Sequence, residues 1–175
     1  MSYFEEKTTD TPEVLLSELS DICLEELMLS SDAYICMIKL NMHGYKRLHR
    51  YLTKKFQSLY LELQNESIER YDRALPSEIT FKQYKPIDIK EHLETWTEEL
   101  HKHLKRVGVI IRKIFEQEGY ISCRAQELQK LLYYNIIKNE RSIKKFNDCD
   151  WSYETIYLHD HELHKKMKQK EEHRD

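Results

Sequence analysis

Five polar side chains stand on the inner stripes of what read as four long helical segments: Asp32, Ser67, Arg70, Lys105 and Asn139. Carboxylates and a histidine at such positions of a four-helix bundle converge on one point and hold iron, because hard oxygen donors with one imidazole suit Fe²⁺ and Fe³⁺. Here the set is a single carboxylate, a hydroxyl, an amide and two fixed cations. Two such cations close together repel a metal ion strongly where water is partly excluded. The expectation is therefore structural: Asp32 pairs with Arg70 and Lys105, and Ser67 and Asn139 hydrogen-bond to the pair. No catalytic residue is assigned.

A second constellation is Glu62, Glu66, Glu69 and Asp72, spaced to share one face of the second helical segment. It reads equally as a row of oxygen ligands or as a solvated helix face with partners such as Arg73. His159, His161 and His164 near the C-terminus are residue types that bind transition metal but read, without a fixed geometry, as surface histidines, and His43 and His49 near the first turn carry no clear role. Cys23, Cys36, Cys123 and Cys149 contain no C-x-x-C pair and read as reduced, mostly packed thiols rather than a zinc site or a disulfide framework.

The elements that must position these residues follow from periodicity and caps. Thr11 caps a helix with Pro12 at its first position; Leu16, Leu19, Cys23, Leu27, Tyr34 and Ile38 form its stripe to about Met42, and Gly44 supplies the break. From Tyr45 the stripe resumes as Leu48, Leu52, Phe56, Leu59 and Leu63, until Pro76 stops it. Residues 76–87 read as a connection, with Ile79-Thr80-Phe81 extended. Asp88 caps a third helix that ends at Gly119, and Ser122 caps a fourth. A shorter amphipathic piece spans Tyr153 to Leu163. The sequence thus divides into an N-terminal arm (1–10), one helical domain (11–164) and a charged, disordered tail (165–175).

Composition agrees. Only 3 Gly and 3 Pro beside 34% charged residues leave few helix stops, so the fold class is all-α. A formal net charge of −3 gives no field for nucleic acid or an anionic membrane, so neither is expected as a partner. The N-terminal residues lack the apolar core of a signal peptide and no apolar run is long enough for a membrane span, which points to the cytoplasm.

Four long helices, a connection able to cross the bundle between the second and third, and a fifth helix resemble ferritin. Asp32-Ala-Tyr-Ile-Cys-Met-Ile-Lys-Leu-Asn-Met42 is similar to the family's first-helix segment Glu-Leu-Tyr-Ala-Ser-Tyr-Val-Tyr-Leu-Ser-Met, and Lys54-Lys-Phe56 stays in step with it. Phe81-Lys-Gln-Tyr-Lys-Pro86 is similar to the loop before the third helix, and Ile156-Tyr-Leu-His-Asp-His-Glu-Leu163 to the fifth helix.

The resemblance implies a ferritin-like bundle in which the di-iron oxidation centre is degenerate: the first-helix Glu becomes Asp32, the Glu-x-x-His becomes Ser67 and Arg70, the third-helix Glu becomes Lys105 and the fourth-helix Gln becomes Asn139. It places Glu62, Glu66, Glu69 and Asp72 toward the cavity, where light-type subunits nucleate the ferric mineral, and Gln129 and Leu132 at the three-fold entry channel. The implied function is an iron-storage subunit for intracellular iron homeostasis, without its own ferroxidase centre. Its cofactor is iron as stored ferric mineral, with none tightly bound. Its partners are its own copies or active ferritin subunits in a hollow cage of about 24 chains. The alternative is a ferritin-derived helical scaffold that no longer binds iron.

Overall fold

The computed structural model describes residues 11–80 and 82–172. The N-terminal arm, Phe81 and residues 173–175 lie outside the described residues. Five helices follow in order: α1 (Pro12–Lys39), α2 (His43–Tyr71), α3 (Ile89–Glu118), α4 (Cys123–Asp148) and α5 (Tyr153–Glu172). Among the described residues there is no strand, and no helix is long and apolar enough to cross a membrane.

The caps form as their residue types dictate. The side chains of Thr11, Asp88 and Ser122 each accept a hydrogen bond from the backbone N–H three residues on, and Gly119 ends α3 in the left-handed region at φ 61°. Two boundaries differ from expectation. α1 stops at Lys39 and α2 at Tyr71, where Asn41 and Asp72 turn the chain left-handed, so neither Gly44 nor Pro76 makes the break. Gly44 lies inside α2 for another reason: a Cβ there would overlap the Asp160 carbonyl and come within 2.8 Å of the His164 nitrogen. Only glycine lets α5 approach α2 so closely.

α1 packs chiefly on α2, and α3 on α4. Cross-helix hydrogen bonds fix the levels. Gln64 Nε2 donates to Ser20 Oγ, and His103 reaches Glu26 while Arg106 pairs with Glu18, so α1 is antiparallel to both α2 and α3. α2 and α3 are then parallel, and their connection must run the length of the bundle. It does so nearly extended. The Pro76 carbonyl accepts from Ser17 and the Tyr84 N–H donates to Asp32, a climb of about 22 Å along α1 over the span from Pro76 to Tyr84.

The helix after Asp150 does not end at Leu163. The charged stretch from Lys165, expected as a disordered tail, is helical through Glu172. Its reason is packing: Met167 is 2% exposed, and Glu171 pairs with Arg47 at 2.8 Å and Arg50 at 2.9 Å on α2. α5 thus lies along its own bundle. Asp160 accepts from the Tyr45 backbone, and the His159 ring stands edge-on to Phe146 on α4.

Candidate functional site

The centre of a bundle is defined by the levels of its four helices. With Ser20 facing Gln64, the α2 residues at the level of Glu26 are Phe56 and Leu59. Ser122 donates to Glu66 at 2.9 Å and runs α4 antiparallel to α2, which puts Leu128 and Leu132 at that same level. All four are buried hydrophobics. At that level the buried polar groups therefore come from α1 and α3, and they are Glu26 and His103, with half-exposed Glu25 beside them.

His103, 4% exposed, sits between the two carboxylates. Its Nδ1 lies 2.8 Å from Glu26 Oε1 and its Nε2 lies 2.8 Å from Glu25 Oε2. Burial opposes a charged ring, but the hydrogen bonds to Glu25 and then Glu26 outweigh it and hold the imidazolium up to about 9. The same bond from His103 holds Glu25 below the usual carboxylate range, whereas burial pushes fully buried Glu26 up. The charge of His103 thus rests on Glu25 first, with Glu26 as the second acceptor. Both ring nitrogens are donors, so neither is free to ligate a metal. A cavity of about 260 Å³, lined by Glu25, Thr80, Tyr84, Glu99 and Lys102 among others, opens beside this triad.

Two further polar clusters occupy the bundle. At one end, His49 and His92 meet Nε2 to Nε2 at 2.8 Å, His92 Nδ1 lies 2.7 Å from the Tyr84 hydroxyl, and Trp96 stacks on His92. Burial pushes both imidazoles below the usual range, His92 to about 3, so the pair is neutral. His49 Nδ1 is buried without a partner. At the other end, Glu66 is 2% exposed and accepts from Ser122, with Arg124 at 3.7 Å.

The five residues read from the sequence as a central set are not gathered. Asp32 is half-buried and accepts from the Tyr84 backbone. It lies twelve residues beyond Ser20 on α1, about 18 Å from the level of Gln64, so it cannot meet Ser67 or Arg70. Ser67 is buried and donates to the Arg73 carbonyl. Arg70 pairs with Glu118 at 2.6 Å and stacks 3.5 Å from the centre of the Tyr120 ring, at the bundle end. Lys105 is exposed on α3, and Asn139 is buried on α4 near Tyr45 and Ser142. The pairing of Asp32 with Arg70 and Lys105 does not form.

The shared face of α2 also divides. Glu62, Glu69 and Asp72 are exposed, but Glu66 points inward to Ser122. Gln129 is half-buried, and Leu132 is a fully buried core residue, which removes its side chain from any channel wall formed by the surface of the bundle. His43 and His161 are exposed, whereas His49 is fully buried and His159 and His164 are half-buried, so two of the three C-terminal histidines read as surface groups are not. The four cysteines are free thiols, but only Cys23 is buried; Cys36 is half-buried, and Cys123 and Cys149 at the two ends of α4 are exposed rather than packed.

Iron as a bound ion does not fit the residues at the centre. A dinuclear site needs oxygen and imidazole donors from all four helices, and α2 and α4 offer Phe56, Leu59, Leu128 and Leu132 there. Among the described residues no three His, Cys, Asp or Glu side chains are placed to hold a metal ion.

Known proteins place the fold. No family model and no curated protein matches the chain. Solved structures do: an open pore ferritin from the hyperthermophilic archaeon Archaeoglobus fulgidus superposes with a TM-score of 0.74 at 9% identity, over 88% of this chain and 98% of that one. A humanized archaeal ferritin superposes with a TM-score of 0.75 at 10% identity, over 87% and 94%. At such identities the likeness is one of fold, and the chain is an all-α, ferritin-like bundle with a crossover between α2 and α3 and a fifth C-terminal helix.

Proposed function

We propose that this chain is a structural subunit of a hollow cytoplasmic iron store: it assembles with its own copies or with active ferritin subunits, and it brings no oxidation centre of its own. The observation that carries this reading is the His103 imidazolium between Glu25 and Glu26, with only apolar side chains from α2 and α4 at the same level. A fixed organic cation stands where a metal-binding bundle would keep open oxygen donors. The fold likeness to ferritins supports assembly. Iron would then enter and be oxidised through partner subunits, as cargo rather than as a resident ion.

Light scattering of the purified chain, alone and mixed with an active ferritin subunit, tests assembly; a large hollow particle is expected in at least the mixture. A monomer in both refutes it. Stopped-flow absorbance tests the silence of the centre, since Fe²⁺ should be oxidised no faster than with an inert control protein.

One observation favours a second reading, a ferritin-derived scaffold that has left iron storage. Glu66 is buried and Leu132 belongs to the core, so the inner-wall carboxylates and the channel positions expected from the sequence are incomplete at the surface. Iron content separates the two readings. A mixed particle that mineralises no more iron than the active subunits account for supports the scaffold.

A further inference from the structure

Between α2, α4 and α5 lies a cavity of about 230 Å³, distinct from the central triad. Tyr45, Leu48 and Leu163 give it apolar walls. Asn139 also lines it, is 4% exposed, and keeps its Nδ2 shielded from solvent without a hydrogen-bond partner. A buried amide donor left unmade is costly, and an acceptor inside the cavity would remove that cost once the Asn139 amide turns its Nδ2 toward it.

The charge around the cavity is predominantly positive. Lys138, Arg141, Lys145 and Lys166 stand on its lining against Glu162, and among the described residues none of these four cations forms an ion pair. Their field is felt inside. His159, with Nε2 3.2 Å from Ser142 Oγ, is held below the usual histidine range by burial first and then by Lys145, Lys166 and Lys138. A cationic ligand is excluded by the same field. A small inorganic anion would leave the apolar walls in water, so the walls and the rim together select a molecule with both characters.

We propose that this cavity binds a small amphipathic carboxylate, with its apolar body against Tyr45, Leu48 and Leu163 and its anionic head near Asn139 and the lysine rim. The site is built by α5. Without the helical stretch beyond Leu163, Lys166 would not close the rim, and the groove between α2 and α4 would lie open.

Isothermal titration calorimetry on the full chain, with octanoate as the probe, tests the site. Saturable binding of one octanoate per chain is expected, with octan-1-ol, octylammonium and inorganic phosphate each binding about tenfold weaker or worse, the scale of one charge-assisted hydrogen bond. Asn139→Asp and Lys145→Glu should each weaken octanoate by about tenfold or more, and Lys105→Glu, exposed on α3, should not. Lys145 is exposed, so its variant folds even where the buried Asn139 variant does not. Octanoate should also raise the NMR titration midpoint of His159, because a bound anion offsets the lysine field. Absence of saturation in the millimolar range, equal binding of octan-1-ol, or an unchanged affinity in Lys145→Glu overturns the proposal.

Discussion

Replacing His103 with glutamine removes the one cation from the middle of the bundle and leaves both carboxylates. The ring is held up to about 9 against an ordinary value of 6.5. At ~1.4 kcal/mol per unit, a rise of roughly 2.5 units ties about 3 kcal/mol of folding free energy to that proton. The native state binds the proton more tightly than the unfolded chain does, so this contribution is complete below pH 6.5 and drains away as pH rises towards 9. Neighbours do not reverse the sign. Glu26 is also pushed up, which gives the same slope, whereas the lowered Glu25 acts only in the acid range below its ordinary 4.5. Cys23 and Tyr45, both raised by burial, begin to matter only above their ordinary values of 9.0 and 10.0.

Urea unfolding followed by circular dichroism at about pH 6 and about pH 9 measures the effect. Wild type should lose about 3 kcal/mol between the two, whereas His103→Gln should start about 3 to 5 kcal/mol lower, as expected when a buried pair loses one partner, and then change little. Parallel pH profiles for the two proteins would refute the bridged imidazolium.

On the acid side the slope should come from the neutral imidazole pair. His49 and His92 are pushed down by burial, so the unfolded chain binds more protons and stability falls as pH drops from 6.5 towards 3; His92→Phe should flatten that limb in the same urea experiment. Gly44→Ala should cost about 1 to 3 kcal/mol by forcing α5 away from α2, and amide exchange in α5 should accelerate more than in α3. Glu at 67, His at 70 and Glu at 105 introduced together should leave the Fe²⁺ oxidation rate at the inert-control level, because these positions lie at the bundle end and on an exposed face; a restored fast phase would show that they converge after all.

The caps and the helix count were legible because Thr11, Asp88, Ser122 and Gly119 act through local backbone chemistry. The inner stripe of α1 was legible only in part. Its buried positions run Leu19, Cys23, Glu26, Ser30, Ala33 and Met37, spaced alternately four and three, while hydrophobicity favoured Leu27 and Ile38, the latter 46% exposed. A charged Glu26 on an apolar row reads as an error of phase until His103 is set beside it. The signal for His103 was present: Leu93, Trp96, Leu100, His103 and Val107 keep the same rhythm on α3. What periodicity cannot supply is level. It gives the face of a helix and not which turn meets which turn of a neighbour, and the bonds that fix level, Gln64 to Ser20 and Ser122 to Glu66, join residues far apart in sequence. The tail after Lys165 was misjudged because its ordering depends on Met167 and Glu171 finding partners on another helix.

Beside the buried α4 row Asn135, Asn139 and Ser142, three polar clusters lie at separate levels, and their separation has a consequence for how the bundle holds together. Each cluster is bonded within itself, His103 to Glu25 and Glu26, His92 to Tyr84 and His49, Glu66 to Ser122 and Arg124, while Glu26 Oε2, His49 Nδ1 and Glu66 Oε2 stay buried without a partner. Between them the helices meet through Leu, Phe, Ile and Trp side chains, whose burial at about 25 cal/mol per Å² is the main favourable term. A metal at the centre would have to displace an imidazolium already bonded at both nitrogens and find donors on α2 and α4, where Phe56, Leu59, Leu128 and Leu132 close the space. Association of the helices in this chain is thus independent of iron. Converting it to an oxidising centre would require carboxylate and histidine at the level of Leu59 and Leu132 as well as the loss of His103, which is a redesign of the core rather than the repair of a vestigial site.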